Sequence, residues 1–126
     1  MSEMADAGII NITSDELALL LKQGVVLVDI RTEPEWRQTG IISGSHLLML
    51  FDDKRQVVDP QGWLAKVKAL VPQDKPVILI CRVGTRTVAA ARFLVKSGYG
   101  TVYNVEGGIL SWINSGLPVE RFHTAH

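Results

Sequence analysis

Apolar positions along this chain follow two rhythms in alternation. Val25 to Ile30 and Pro76-Val77-Ile78-Leu79-Ile80 are short, nearly unbroken apolar runs, the pattern of parallel strands covered on both faces. Ile9 to Ile12, Leu47 to Leu50 and Thr101 to Val105 read as further short strands, the first of them at an edge. Between them the spacing becomes helical. Thr13 with Glu16 has capping-box spacing and opens a helix through Leu17, Leu20 and Leu21 that Gly24 ends. Pro34 to Gln38 predicts a short helix. Asp59-Pro60 is an N-cap followed by proline at the first helical position, starting a helix through Leu64, Val67 and Leu70. Val88 to Lys96 predicts a helix stopped by Gly98, and Gly108 to Asn114 a last one. Strands alternating with helices imply right-handed βαβ units, hence an α/β fold with a doubly wound, mostly parallel sheet flanked by helices. No linker, repeat or low-complexity segment interrupts the pattern. Residues 9–120 are expected to form one domain, with 1–8 and 121–126 as flexible termini.

Composition narrows the class. The 126 residues can bury roughly two-thirds of their unfolded surface, enough for one core without staples. Thirteen basic and thirteen acidic residues cancel, so no global field recruits nucleic acid or an acidic membrane. No apolar run approaches the ~18–20 residues of a membrane span. The acidic start Met1-Ser2-Glu3-Met4-Ala5-Asp6 has neither the basic nor the apolar region of a secretory signal as it stands. A single cysteine allows no internal disulfide and points to a reducing, cytoplasmic setting. His46, His123 and His126 show no metal spacing. Trp36, Trp63 and Trp112 fall on helix positions suited to packing.

That single cysteine, Cys81, is where chemistry concentrates. It ends the apolar run 76–80 and is followed by Arg82-Val83-Gly84-Thr85-Arg86-Thr87, then a helix. A thiol at the C-terminal end of a strand, facing a helix start, meets backbone N–H groups and the positive end of a helix dipole, which favours thiolate over thiol. Gly84 permits the positive φ that a tight ring of N–H donors needs. Arg82 and Arg86 in one short loop repel each other unless they share an anion. The arrangement therefore reads as an oxyanion-binding thiol rather than a small core residue. Asp29 and Arg31, just beyond the strand 25–30, are expected to hydrogen-bond neighbouring loops and hold the cradle in shape. Gly107-Gly108 lacks the rest of a phosphate-loop motif and fits a helix start that needs close backbone approach.

The segment Cys81-Arg82-Val83-Gly84-Thr85-Arg86-Thr87 resembles the active-site loop of rhodanese-type sulfurtransferases, C-R-x-G-x-R-[ST]. Val26-Leu27-Val28-Asp29-Ile30-Arg31 with Glu35-Trp36 is similar to their V-D-x-R…E-[FWY] signature. Val105-Glu106-Gly107-Gly108 with Trp112 and Gly116-Leu117-Pro118 is similar to E-G-G-x-x-x-W…G-[LY]-P. The three motifs stand in family order and span about Ile12 to Val119. Two positions depart from it: Ile41 replaces a common histidine, and Val83 a common polar residue. The resemblance implies a rhodanese-like fold and a sulfurtransferase. Cys81 would take sulfane sulfur as a persulfide from thiosulfate or a related small anionic donor and pass it to an external thiol, protein or cyanide acceptor. Arg82, Val83, Gly84, Thr85 and Arg86 would bind the substrate, with Arg86 reaching across the loop to the anion and Arg82 steering at the rim. It implies no cofactor or metal, and a monomer or homodimer. Two alternatives stand beside it. One is a persulfide carrier or regulatory module that does not turn over. The other is a cysteine-dependent phosphatase or arsenate reductase, whose C-x5-R loop is one residue longer than the C-x4-R here.

Overall fold

The computed structural model describes residues 7–123. Five strands, β1 (Ile9–Ile12), β2 (Val26–Asp29), β3 (His46–Leu47), β4 (Val77–Ile80) and β5 (Val102–Val105), alternate with five helices. The helices are α1 (Ser14–Lys22), α2 (Glu33–Thr39), α3 (Pro60–Leu70), α4 (Arg86–Lys96) and α5 (Gly108–Asn114). All strand pairs are parallel, in the order β1-β5-β4-β2-β3. β4, whose four residues are all buried, lies at the centre, as its unbroken apolar run requires.

Alternate strand residues feed two cores. Val28, Val77, Leu79 and Val102 pack with Trp63, Leu64 and Val67 of α3 and with Ala90, Ala91 and Leu94 of α4. Leu27, Ile78, Ile80 and Val105 pack on the other face with Leu17 of α1 and Ile109 and Trp112 of α5. The three tryptophans are buried, Trp63 and Trp112 donating their indole N–H to the Leu48 and Pro118 carbonyls. The cap signals act as the sequence predicts. Thr13 and Glu16 exchange both bonds of a capping box, and Asp59 accepts from the Gly62 N–H ahead of Pro60.

Two boundaries differ by more than one residue from the sequence reading. The expected strand 47–50 is only His46–Leu47: Leu48 and Leu50 still donate to the Asp29 and Ile30 carbonyls, at 3.0 and 3.3 Å, but the regular ladder ends as Leu50 and Phe51 turn into the core. The helix expected from Val88 begins at Arg86, with Thr85 as its cap, so the loop after Cys81 is tighter. Of the termini expected to be flexible, residues 1–6 and 124–126 lie outside the described residues. Gly8 accepts the Val102 N–H, and Phe122 packs on Trp36 at 5.5 Å between ring centroids.

The sheet changes direction between β2 and β4. After β2 the chain moves outward to β3; after β4 it moves the other way to β5. Loops leaving the carboxyl ends of these neighbours diverge and open a crevice, the usual ligand position in open α/β sheets. The chain closes that crevice from behind with the start of α5. Gly107 and Gly108 both hold left-handed backbone, φ +74 and +57. A β-carbon on Gly108 would lie 2.4 Å from the Arg82 carbonyl oxygen and 2.5 Å from that of Cys81. That is the close backbone approach expected of this pair. Gly108→Ala should therefore cost at least ~2 kcal/mol of stability, read as a lowered denaturant midpoint at unchanged slope.

Candidate active site

Cys81 follows the last residue of β4 and is fully buried, with no other cysteine to pair with. The loop behind it is held by main-chain bonds. Ile109 and Leu110, in the first turn of α5, donate their N–H groups to the carbonyls of Cys81 (2.9 Å) and Arg82 (3.2 Å). With its carbonyls held on that side, the loop presents one N–H to the sulfur. The Gly84 N–H donates to Cys81 Sγ at 3.1 Å. Gly84 holds φ +93, and a β-carbon there would press on the Val105 carbonyl oxygen at 3.1 Å. The left-handed turn expected at this glycine is present, and it aims a donor at the sulfur. The first turn of α4 starts two residues later, adding the positive end of its dipole.

The side chains of the loop divide by burial. Arg82, Val83 and Thr85 are exposed; Arg86 is half-buried and Thr87 fully buried. Arg86 has a partner that sequence spacing did not suggest. Its two terminal nitrogens grip the Glu35 carboxylate at 2.8 and 2.6 Å, a bidentate pair across 51 residues. Arg86 is thus half of an ion pair as well as a neighbour of the thiol. Burial by itself would push the Glu35 carboxyl up. The bonds and charge of Arg86, with those of Thr32, outweigh it and hold the group below its ordinary 4.5. The Glu35 bond raises the Arg86 guanidinium above its ordinary value against burial, and the Cys81 and Asp29 charges add to the effect.

Glu35 is placed by a second buried pair. Arg31, 0 % exposed, donates through Nε and Nη2 to both oxygens of Asp29, at 2.8 to 3.1 Å. Its remaining N–H groups reach Thr39 Oγ1 (2.6 Å) and the carbonyls of Gly40 (3.0 Å) and Glu35 (3.5 Å). Asp29 and Arg31 therefore bind β2 to α2, the bracing expected of them, and α2 carries Glu35 to Arg86. A cleft of about 270 Å³ opens over the loop, lined among others by Glu35, Asp52, Asp53, Arg55, Arg82 and Arg86. Its walls hold three arginines and three carboxylates. Asp52, Asp53 and Arg55 lie in a turn that no local pattern tied to Cys81. Thr87 approaches Sγ from below at 3.6 Å and was likewise read only as part of the motif. Among the described residues no group of three or more His, Cys, Asp or Glu could hold a metal, and no helix is long and apolar enough to cross a membrane.

Glu35→Gln should test the brace. A carboxylate whose folded pKa lies below its unfolded value stabilises the fold fully above about pH 4.5 and loses that contribution as pH falls through the folded value. The variant should be less stable than wild type at pH 7, and the gap in denaturant midpoint should narrow steadily below pH 4.5.

Comparisons with known proteins agree with this geometry. Residues 13–115 match the model of the rhodanese-like domain. Rhodanese-like domain-containing protein 17 of Arabidopsis thaliana is 31% identical over 97% of this chain and 80% of its own length. A sulfurtransferase of Allochromatium vinosum is 35% identical over 77% of this chain and 79% of its own. Among solved structures, the polysulfide-sulfur transferase homodimer of Wolinella succinogenes is similar with a TM-score of 0.71 and 25% identity, covering 98% of this chain and 87% of that one.

Proposed function

The chain belongs to the rhodanese-like domain family, and from that premise we propose that it is a sulfurtransferase acting through a persulfide on Cys81. The observation that carries this reading is the Gly84 N–H aimed at Sγ from a loop that opens the dipole end of α4. A thiolate there attacks the outer sulfur of a sulfane donor. With thiosulfate, a new S–S bond forms to Cys81 while the donor's S–S bond breaks, and its electron pair leaves on sulfite. An acceptor thiolate, or cyanide, then attacks the terminal sulfur and returns Cys81 as thiolate. Neither half needs an oxidant, since sulfur moves with its oxidation state and the Cys81 thiolate is regenerated.

The loop supplies the electrostatics. Main-chain donors stabilise negative charge on the thiolate and persulfide as an oxyanion hole does, and they do so without reorganisation because α5 fixes their carbonyl side. Glu35 neutralises part of the Arg86 charge and locks its orientation, leaving the remaining N–H bonds of the guanidinium to face an anion. Arg82, exposed at the rim, acts on encounter. The carboxylates Asp52 and Asp53 temper the positive field, so the donor is small and sulfane-bearing rather than a highly charged phosphate ester. The named activities of the Allochromatium and Wolinella relatives support transfer of this kind. With no second cysteine, discharge requires an outside acceptor.

Incubation with thiosulfate should add the mass of one sulfur atom to the intact protein. Cys81→Ser should abolish both the adduct and sulfur transfer while the fold is kept. An unloaded wild type, or a Ser variant within tenfold of wild-type activity, would move the chemistry elsewhere. Arg86→Ala should lower kcat/KM for thiosulfate by roughly tenfold or more, the loss of a charge-assisted bond being worth about 1.5–3 kcal/mol. Arg82→Ala should mainly raise KM and flatten the salt dependence of the rate.

A further inference from the structure

A buried polar chain beneath Cys81 is left without a task by the sulfur chemistry above. Thr87 Oγ1 lies 3.6 Å from Cys81 Sγ and donates to Asn104 Oδ1. Asn104 Nδ2 donates in turn to Asn11 Oδ1 at 3.0 Å. Thr87 is 0 % and Asn104 4 % exposed, whereas Asn11 is exposed on the edge strand β1. Asn11 and Asn104 are register partners in adjacent parallel strands, so their side chains share a sheet face. The chain thus runs from the reactive sulfur to the surface, on the face that otherwise packs Val77, Leu79 and Val102. Polar groups placed among such neighbours are costly unless each is hydrogen-bonded.

The proton count gives them a use. A threonine hydroxyl has one proton. While that proton is committed to Asn104, Thr87 offers the sulfur only lone pairs. This suits a thiol, whose S–H can donate to them. It does not suit a thiolate or a persulfide, in which Sγ carries no proton and two acceptors would face each other. Every other member of the chain can both donate and accept, and its outer end meets water.

We propose that Thr87, Asn104 and Asn11 form a reversible hydrogen-bond chain whose polarity follows the state of the Cys81 sulfur. In the thiol, S–H points to Thr87, Thr87 to Asn104 Oδ1, and Asn104 Nδ2 to Asn11. When the thiol proton leaves to solvent, or sulfur is loaded, the Thr87 hydroxyl turns to donate to Sγ. The Asn104 carboxamide then rotates by a half turn, so that Nδ2 donates to Thr87 and Oδ1 accepts from Asn11 Nδ2. Asn11 exchanges its outer partners with water, and the change ends there. Thr87 and Asn104 are positioning residues on this account. The inference rests on Cys81 being the nucleophile.

The test reads the far end of the chain. Cys81 is loaded with sulfur by polysulfide, and loading is verified by intact mass; the side-chain amides of asparagine are then followed by ¹⁵N NMR. Loading should move the Asn104 and Asn11 Nδ2 resonances together, and polysulfide should move neither in Cys81→Ser. In Thr87→Val the Asn11 response should vanish, and in Thr87→Ser it should return. Single-turnover persulfide formation should slow about tenfold in Thr87→Val and stay within about threefold of wild type in Thr87→Ser, as expected for one bond to a charged group. An Asn11 resonance that stays put on loading, or moves equally in Thr87→Val, overturns the proposal. Polysulfide loads a thiol by simple exchange. Failure to load from thiosulfate would count against the donor reading alone and leave the amide measurement intact.

Discussion

Arg31 brings five N–H donors into a place that water does not reach, and each must find an acceptor. It finds them on Asp29, on Thr39 and on main-chain carbonyls at the start and end of α2. Leaving either charge of such a buried pair without the other costs on the order of 3–5 kcal/mol, so the arrangement has few alternatives. Its effect is geometric. It fixes the angle at which α2 leaves the sheet, and that angle decides where Glu35 stands. Glu35 in turn decides which way the Arg86 guanidinium points, across the crevice between the carboxyl ends of β2 and β4. A charge relation buried beside one strand thereby orients a cation beside the cysteine that follows the next.

The other wall of the site is built from backbone alone. Two left-handed glycines let α5 come within hydrogen-bonding distance of the Cys81 and Arg82 carbonyls, and a third, Gly84, turns an N–H toward sulfur. A β-carbon on Gly84 or Gly108 would press on main chain, and one on Gly107 on the Ser111 side chain. The site therefore divides its labour. Main-chain groups shape the loop around the sulfur, and ion pairs set the direction of the neighbouring side chains.

Much of this was legible in the sequence wherever the physics is local. The Thr13–Glu16 box, the Asp59-Pro60 start, the unbroken run of β4 and the positive φ of Gly84 and Gly108 all act within a few residues. The rhodanese-like signatures added the order of the parts. Contacts between distant segments left no such trace. Glu35 and Arg86 are 51 residues apart, Thr87 and Asn104 are 17, and Asn11 and Asn104 are 93. Neither spacing nor periodicity distinguishes these residues from solvated ones. Arg86 was accordingly read as a lone anion clamp, and Asn104 as an unremarked strand residue. The end of β3 differs for a related reason: Leu48 to Leu50 have strand-like apolar character and still bond the β2 segment, but burial of Leu50 and Phe51 ends the regular ladder.

The main-chain bonds from Ile109 and Leu110 to the Cys81 loop also have a meaning in time. A ribosome delivers Cys81 almost thirty residues before the segment that holds the carbonyls of its loop. In the folded chain Val102 to Val105 pair with β4 and β1, and the Gly107-Gly108 turn that follows brings α5 against the carbonyls. Until that happens, the Cys81 and Arg82 carbonyls lack the N–H donors of α5. The shape of the Cys81 loop is thus a product of completed synthesis, since a chain that stops short of Ile109 lacks both bonds that hold its carbonyls.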